Sequence, residues 1–599
     1  SLICDTHFGL VHITNNESSM PHSTTKPPFQ MAHQRTLAAT FDDIPGELPK
    51  TTIPADTNLE DAADTALLAL NSWSVANLSS DVIWRDLLAF TGTYRTFHSA
   101  RKVFDTFQRL SVAEQRSEFQ RHPGTPRISR SLDDSSWVDV DVEFTVQHGG
   151  LVGRCIGTVS IALGARDHWQ IWMLRTWLEC FEGHGNPDVP RQMQSLPNGT
   201  VRHDTPDGHE PKTSKVYDAI IIGGGQCGLS VAGRLDALGL KYLLLEKNSR
   251  IGDIWKYRYQ SLKWHTVKEY GNLPFGRTFS EDDPDLLSAS QIAEGHRVWA
   301  EMHGINVHTD STVQVASWND VTNLWSVEVS EQGSRAIYTS KNVILAIGGG
   351  SSSPVLPSWA QPEHIASSGF AGEIMHSKVY HTSKPWAGKR GIVVGTANTG
   401  HDVAEDMADA RMETTMIQRG STFVMPAEWL RAGHILDYNM KKSPERADRE
   451  AFTYPSKISR EMINRAVHRA VQENPERFDA LERAGFRVDR FGDISNNLYV
   501  RIGGHYVDTG ASARVANGEI KVVTKAVQRL TEDGLLFEDD SKLDADVIVL
   551  ATGFNHDFRD QARSILGDIA EQMDDYWGID AEGEVRGHAK IAGRKELPL

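Results

Sequence analysis

The segment from Val216 to Glu246, VYDAIIIGGGQCGLSVAGRLDALGLKYLLLE, constrains the fold more than any other part of this chain. Val216–Ile222 is an apolar, β-branched run and reads as a buried parallel strand. It ends on Gly223, Gly225 and Gly228, spaced GxGxxG. Gly223 permits a tight turn, Gly225 lets a pyrophosphate approach the backbone, and Gly228 lets the next helix pack closely on the strand. The helix N-terminus then presents free N–H groups and a positive dipole end to the phosphates. Gly239 ends that helix. The strand YLLL closes on Glu246, 23 residues after Gly223. An acid there can accept hydrogen bonds from both ribose hydroxyls. Strand, glycines, helix, strand and acid together predict a dinucleotide-binding unit.

The stretch KRGIVVGTANTGHDVAEDMADARMETTMIQRGS repeats the logic. Gly395, Ala397 and Gly400 take the three glycine positions, and Asn398 and Thr399 open the helix between them. The alanine places one methyl against the expected pyrophosphate. The second strand runs to Arg419, 24 residues after Gly395, where no acid stands. An arginine there suits a 2′-phosphate, hence NADPH over NADH. Two such folds imply two dinucleotides. The usual chemical reason is that one carries a hydride and the other is a flavin that receives it, here FAD. The expected fold class is α/β, with two Rossmann-like domains, one for FAD and one for NADPH.

The charge balance limits the partners. Lys+Arg 62 against Asp+Glu 79 gives −17, which repels phosphate backbones, so neither nucleic acid nor an anionic membrane is expected. No apolar run is long enough for a membrane-spanning helix. Cys4, Cys155, Cys180 and Cys227 contain no CxxC pair, which points to a reducing compartment, the cytoplasm. Cys227 sits in the first phosphate loop without a resolving partner, which argues against a disulfide reductase. The 24 histidines include no HxxxH or HExxH, so no metal site is expected.

Residues 1–55 are rich in Ser, Thr, Pro and Asn and read as a disordered tail. The opening residues lack the basic and apolar regions of a signal peptide, and Met20 is a candidate natural start. Residues 56–183 read as an α+β domain of helices followed by a three-strand meander. In it Val138, Val140, Val142, Phe144 and Val146 alternate with Asp139, Asp141, Glu143 and Thr145, a half-buried strand with its acids outward. Trp169, Trp172 and Trp177 would line a pocket there, and each reads first as core. Residues 184–215, dense in Pro, Gly and charge, read as a linker. Residues 443–486 are helical with mixed charge and read as a solvated surface inserted into the second nucleotide domain.

Between the two signatures, SGFAGEIMHSKVYH fits FxGxxxHxxxY through Phe370, Gly372, His376 and Tyr380. This resembles the signature of flavin-containing monooxygenases. RIGDIWKYRY resembles their GG-x-W stretch, with Trp255 in place and Asp253 replacing a glycine. DADVIVLATGF matches their ATG hinge through Ala551, Thr552, Gly553 and Phe554, and KNVILAIGGG resembles another such hinge, with Ile347 replacing a threonine. The resemblance covers about residues 216–585. The domain before it is similar to SnoaL-like cone domains. The resemblance implies an FAD domain at 216–360 and 531–599, with an NADPH domain at 361–530 between its two parts.

The resemblance also implies the chemistry. NADPH reduces FAD, O2 adds to give a flavin 4a-hydroperoxide, and its distal oxygen passes to a small nitrogen or sulfur nucleophile or an oxo-acid. The deprotonated peroxide of Baeyer–Villiger monooxygenases attacks a ketone instead. Those relatives end the motif in Trp, whereas here it ends Tyr380-His381. By spacing, His265 stands where relatives commonly place Asn or Asp near the flavin, a candidate acid–base group. His376 is expected to orient the interdomain linker. No Gly-Gly loop and closing helix can be read near the end, so that segment is expected to be missing. A non-catalytic flavoprotein whose front domain binds or dimerises stays open as an alternative. A homodimer stays open as an oligomeric state.

Overall fold

A computed structural model of the chain describes residues 11–13, 38–122, 124–132, 135–164, 168–193, 216–348 and 353–586. The front domain packs two helices, α1 (Leu59–Ser72) and α2 (Ala100–Ala113), on one face of a mixed sheet. Its strands are β1 (Leu78–Leu87), β2 (Tyr94–His98), β3 (Gln120–Arg121), β4 (Arg127–Ser131), β5 (Ser135–His148), β6 (Leu151–Leu163) and β7 (Trp169–Phe181). They run in the order β2-β1-β7-β6-β5-β3, with β4 on β5. The alternating apolar residues of β5 face the helices, as their period requires.

Around Trp137 and Asp139 the opposite face of this sheet is covered. Trp137 and Trp172 meet there at 5.0 Å and pack with Leu48 and Ile458. Asp139, expected outward, is 1% exposed. Its carboxylate accepts from Trp137 Nε1 (3.1 Å), Ser129 Oγ (2.6 Å) and Ser160 Oγ (2.5 Å). Those donors compensate for the water it loses. Trp172 lies on this face while Trp169 packs against the helix-side core, so the tryptophans do not share one pocket. The tail expectation fails over residues 38–55: Phe41, Ile44, Leu48 and Ile53 are buried. Isolated apolar residues in a polar stretch carry no periodicity, so only the surface they cover reveals their role. Residues 1–10 and 14–37 of that tail lie outside the described residues. Likewise the linker begins pinned, since Asp188 pairs with Arg234 at 2.9 Å and with Arg449. Its residues 194–215 lie outside the described residues.

The first nucleotide domain comprises β8 (Val216–Ile222), α3 (Gln226–Ala237), β9 (Tyr242–Leu245), α4 (Ala289–Met302), β10 (Val307–His308), β11 (Ser311–Asn319), β12 (Leu324–Glu331) and β13 (Ser334–Leu345). Its sheet order is β10-β9-β8-β13-β12-β11. The pairs joining β10, β9, β8 and β13 are parallel. Residues 11–13 add antiparallel to β13.

The second domain holds β14 (Glu373–His376), β15 (Arg390–Val394), α5 (Asn398–Asp409) and β16 (Glu413–Ile417). A helical insertion follows: α6 (Ala427–Asp437), α7 (Pro444–Phe452), α8 (Ser456–Glu473) and α9 (Pro475–Arg483). The domain closes with β17 (Ile520–Val523) and β18 (Val547–Leu550), giving an all-parallel sheet β14-β18-β15-β16-β17. β18 therefore belongs to the second sheet, which corrects the expectation that residues from 531 return to the first domain. The return comes after Leu550, where α10 (Phe558–Leu566) packs its apolar face with the β8, β9 and β13 core.

The insertion is not a merely solvated surface. Ile458 reaches the front domain, and Arg449 pairs with Glu179 at 2.5 Å. Glu445 accepts from the backbone N–H groups of Phe275 and Gly276, both at 3.0 Å. The insertion thus ties the front domain to the first nucleotide domain. Mixed charge on a helix reads the same whether its partners are water or another domain.

Candidate dinucleotide sites and the joint between them

The two glycine turns share one construction. Gly223 and Gly395 adopt φ +110° and +122°, in the left-handed region that excludes a side chain. A β-carbon on Gly223 would overlap the Ala346 carbonyl oxygen, and one on Gly395 would overlap that of Ala551. Ala346 and Ala551 are where the chain leaves β13 and β18, so each first glycine makes room for a crossover. A β-carbon on Gly228 or Gly400 would overlap the carbonyl oxygen of Gly223 or Gly395. Packing thus accounts for four glycines.

Gly225 is different. Nothing lies within 4 Å of where its β-carbon would stand. Its φ −77°, ψ −172° are nearly those of Ala397, φ −87°, ψ −174°, so the backbone does not demand glycine either. The open cradle fits a group outside the protein, a pyrophosphate pressed on the N-terminus of α3. Gln226, the first residue of α3, is 6% exposed, and its amide nitrogen has no partner among the described residues. A buried donor left unpaired at a helix N-terminus is suited to a phosphate oxygen. Glu246 is buried at the end of β9. Its Oε2 accepts the Gly224 N–H at 2.6 Å and its Oε1 the Asn248 N–H at 2.8 Å, so these bonds hold the carboxylate at the turn. The residues present therefore fit FAD.

At the second turn a cavity of about 280 Å³ opens at the N-terminus of α5. Its lining includes Ala397, Asn398, Thr399, Leu498, His556 and Trp577. Asn398 Oδ1 accepts the Val507 N–H at 2.8 Å, and Trp577 donates to the Leu498 carbonyl at 2.7 Å. Arg419 follows β16 and is exposed, with no hydrogen bond or ion pair among the described residues. It stands at the strand end and does not line that cavity.

The crossovers pair with each other. Val355 N–H donates to the Gly553 carbonyl (3.0 Å) and Asn555 N–H to the Ser353 carbonyl (2.8 Å), an antiparallel ribbon. The Thr552 hydroxyl donates to the Val355 carbonyl at 2.6 Å. Thr552 and the Gly553 carbonyl are thus used by the hinge itself. The FxGxxxHxxxY residues anchor the same region. A β-carbon on Gly372 would overlap the Asp546 carbonyl oxygen. His376, the last residue of β14, has its Nε2 3.0 Å from the Gly553 carbonyl. Burial lowers its pKa first, and the Gly553 bond opposes that. Phe370 packs on the β18 side of the second sheet. Tyr380 is buried and donates to Asp406 of α5, and burial first, then that carboxylate, raises its pKa.

One irregular segment of the first domain, turned at Tyr259–Leu262, lies along α5. Tyr259 donates to Asp402 Oδ2 at 2.8 Å, Ser261 Oγ to the Asp402 carbonyl at 3.4 Å, and His265 Nε2 meets Asp402 Oδ1 at 3.2 Å. Lys263 pairs with Glu405 at 3.6 Å. Tyr259 is 3% and Asp402 2% exposed, and burial first, then Asp402, raises the tyrosine pKa. Trp255 is buried beside this contact, 6.0 Å from Trp264, in a cluster built from both domains. His265 stands out in the sequence by its spacing, whereas its partners here, Tyr259 and Asp402, do not. The signal was present in the acids at 402, 405 and 406, on one face of a helix.

Residues 220–433 match a family model described as pyridine nucleotide-disulphide oxidoreductase. Cys227, in the first glycine turn, is buried. The chain is 26% identical over 340 residues to the probable indole-3-pyruvate monooxygenase YUCCA10 of Arabidopsis thaliana, covering 56% of this chain and 81% of that protein. It is 25% identical over 365 residues to the FAD-containing monooxygenase EthA of Mycolicibacterium smegmatis, covering 57% and 69%. Among solved structures it is similar to a flavin-containing monooxygenase from Stenotrophomonas maltophilia at 18% identity and TM-score 0.41, covering 63% and 86%. Through its two nucleotide domains this chain is homologous to flavin-dependent monooxygenases, which are oxidoreductases.

Proposed function

We propose that this chain is an NADPH-dependent flavin monooxygenase that passes one oxygen atom of O2 to a small organic substrate. The observation that carries the reading is the joint itself. Two glycine turns of like construction, one with an unexplained open cradle at Gly225, are linked by a hydrogen-bonded double crossover and a buried Tyr259–Asp402–His265 contact. Gly225, Gln226 and Glu246 would hold FAD. Asn398, Thr399, Gly400 and Arg419 would hold NADPH, with Arg419 on its 2′-phosphate. When bound and reduced, FAD supplies the activation of O2. His265, at the joint, holds or moves a proton at its imidazole.

The names of the plant relatives point to an aromatic oxo-acid as the first substrate class to try. Nitrogen and sulfur nucleophiles come next, since the motif ends in Tyr380 rather than in the tryptophan of Baeyer–Villiger relatives. The front domain is read as a SnoaL-like cone fused to this core. Purified protein should be yellow, should oxidise NADPH faster than NADH, and should move one atom of labelled O2 into an arylpyruvate or thioether. A ketone panel run alongside separates Baeyer–Villiger chemistry. Colourless protein that cannot be loaded with FAD would defeat the proposal.

A further inference from the structure

We infer that Asp402 is the positioning residue of His265, setting which imidazole nitrogen carries the proton, and that Tyr259 sets the polarity of that contact. The inference rests on the proton-handling role read for His265 above.

A carboxylate only accepts hydrogen bonds. His265 Nε2, 3.2 Å from Asp402 Oδ1, must therefore be the protonated nitrogen, which leaves the lone pair of the neutral ring on Nδ1. The other carboxylate oxygen is occupied by the Tyr259 hydroxyl at 2.8 Å. Because a carboxylate has no proton to give, the phenol proton is the one in that bond. The whole contact is desolvated on the Asp402 side, at 2% exposure. It also crosses domains. Asp402 stands one turn beyond Asn398 on the helix whose N-terminus is assigned to NADPH, whereas Tyr259 and His265 belong to the first nucleotide domain. The proton-bearing nitrogen of His265 is thus fixed only while the two domains are docked along α5.

The test uses near-isosteric exchanges in the full chain. In Asp402→Asn, the Tyr259 hydroxyl still claims the amide oxygen, so the NH2 group faces His265 Nε2 and drives the proton to Nδ1. kcat should fall by roughly 100-fold, the size of a lost acid–base contribution, while KM for NADPH changes little. Adding Tyr259→Phe frees the amide to turn its oxygen toward Nε2. This double variant should recover at least tenfold of the lost kcat, although it has lost one more buried hydrogen bond. Histidine 15N shifts of the labelled protein should show one ring changing tautomer in Asp402→Asn and changing back in the double variant, with that signal identified by its loss in His265→Ala. A purely structural Asp402 predicts a double variant worse than the single one and no tautomer change, and that result overturns the inference. If His265→Ala lowers kcat but Asp402→Asn does not, the positioning claim falls and the His265 reading stands. If His265→Ala leaves kcat unchanged, both fall.

Discussion

Arg85 of the front domain grips Glu584, near the described end of the chain, through two parallel hydrogen bonds, Nε to Oε1 at 2.9 Å and Nη2 to Oε2 at 2.8 Å. The Thr96 hydroxyl adds a third at 2.5 Å, and Arg95 holds Glu582 in the same forked way, Nε to Oε2 at 2.9 Å and Nη2 to Oε1 at 2.6 Å. The glutamate side chain is 5% exposed and the arginine 13%. Truncating one member leaves a buried charge without its partner. Glu584→Ala should therefore destabilise the chain by about 3–5 kcal/mol, read from urea unfolding. A loss under about 1 kcal/mol would mean that the front domain is not fastened there.

Gly225 and Gly228 should respond oppositely to the same methyl. Gly228→Ala drives a β-carbon into the Gly223 carbonyl and should cost about 3 kcal/mol of stability. Gly225→Ala meets no protein atom and keeps a backbone that alanine already adopts at position 397. Its apo stability should stay within about 1 kcal/mol, while FAD affinity falls. Thermal melts and FAD titrations of the two variants check this, and unaltered FAD affinity in Gly225→Ala would take the cradle away from the pyrophosphate.

Arg419 is exposed and carries no ion pair among the described residues, so Arg419→Ala should leave the melting temperature unmoved. Losing a charged contact to the 2′-phosphate should cost about 1.5–3 kcal/mol, so the preference for NADPH over NADH should drop roughly 10- to 150-fold. Steady-state kinetics with both nucleotides measure it. An unchanged ratio would remove Arg419 from the site.

Two buried histidines, His296 and His401, and the half-buried His434 predict an acid limb in stability. Burial pulls His296, His401 and His434 from 6.5 down to about 4. Below pH 6.5 the unfolded chain binds protons that the native state refuses, so stability falls as pH drops from 6.5 towards 4 and is level above that window. Each histidine contributes on the order of 3 kcal/mol at the bottom of the window. Both ring nitrogens of His296 are buried without a partner among the described residues. His296→Leu should therefore flatten the limb by that amount and add about 1–2 kcal/mol at neutral pH. Denaturant unfolding across a pH series decides it, and an unaltered slope would show that His296 titrates normally.

What the sequence determined by itself were the two dinucleotide turns. Their glycines answer local conditions, a positive φ at Gly223 and Gly395 and the helix–strand approach at Gly228 and Gly400, and local conditions are written in consecutive residues. The FxGxxxHxxxY spacing was equally legible, because Gly372 meets the Asp546 carbonyl, His376 the Gly553 carbonyl and Tyr380 the Asp406 carboxylate, each a contact that its residue type suits. Tertiary structure alone decided where β18 belongs, since an apolar strand such as VIVL fits either sheet until its neighbours are known. It decided that the front sheet is covered around Asp139 on its polar side, because an alternating strand looks the same whether that side meets water or another domain. It also brought Asp402 to Tyr259 and His265 across more than 130 residues of chain. A charged side chain on a helix face does not record its partner, and only the docking of the two domains, by excluding water, turns three ordinary polar residues into one contact.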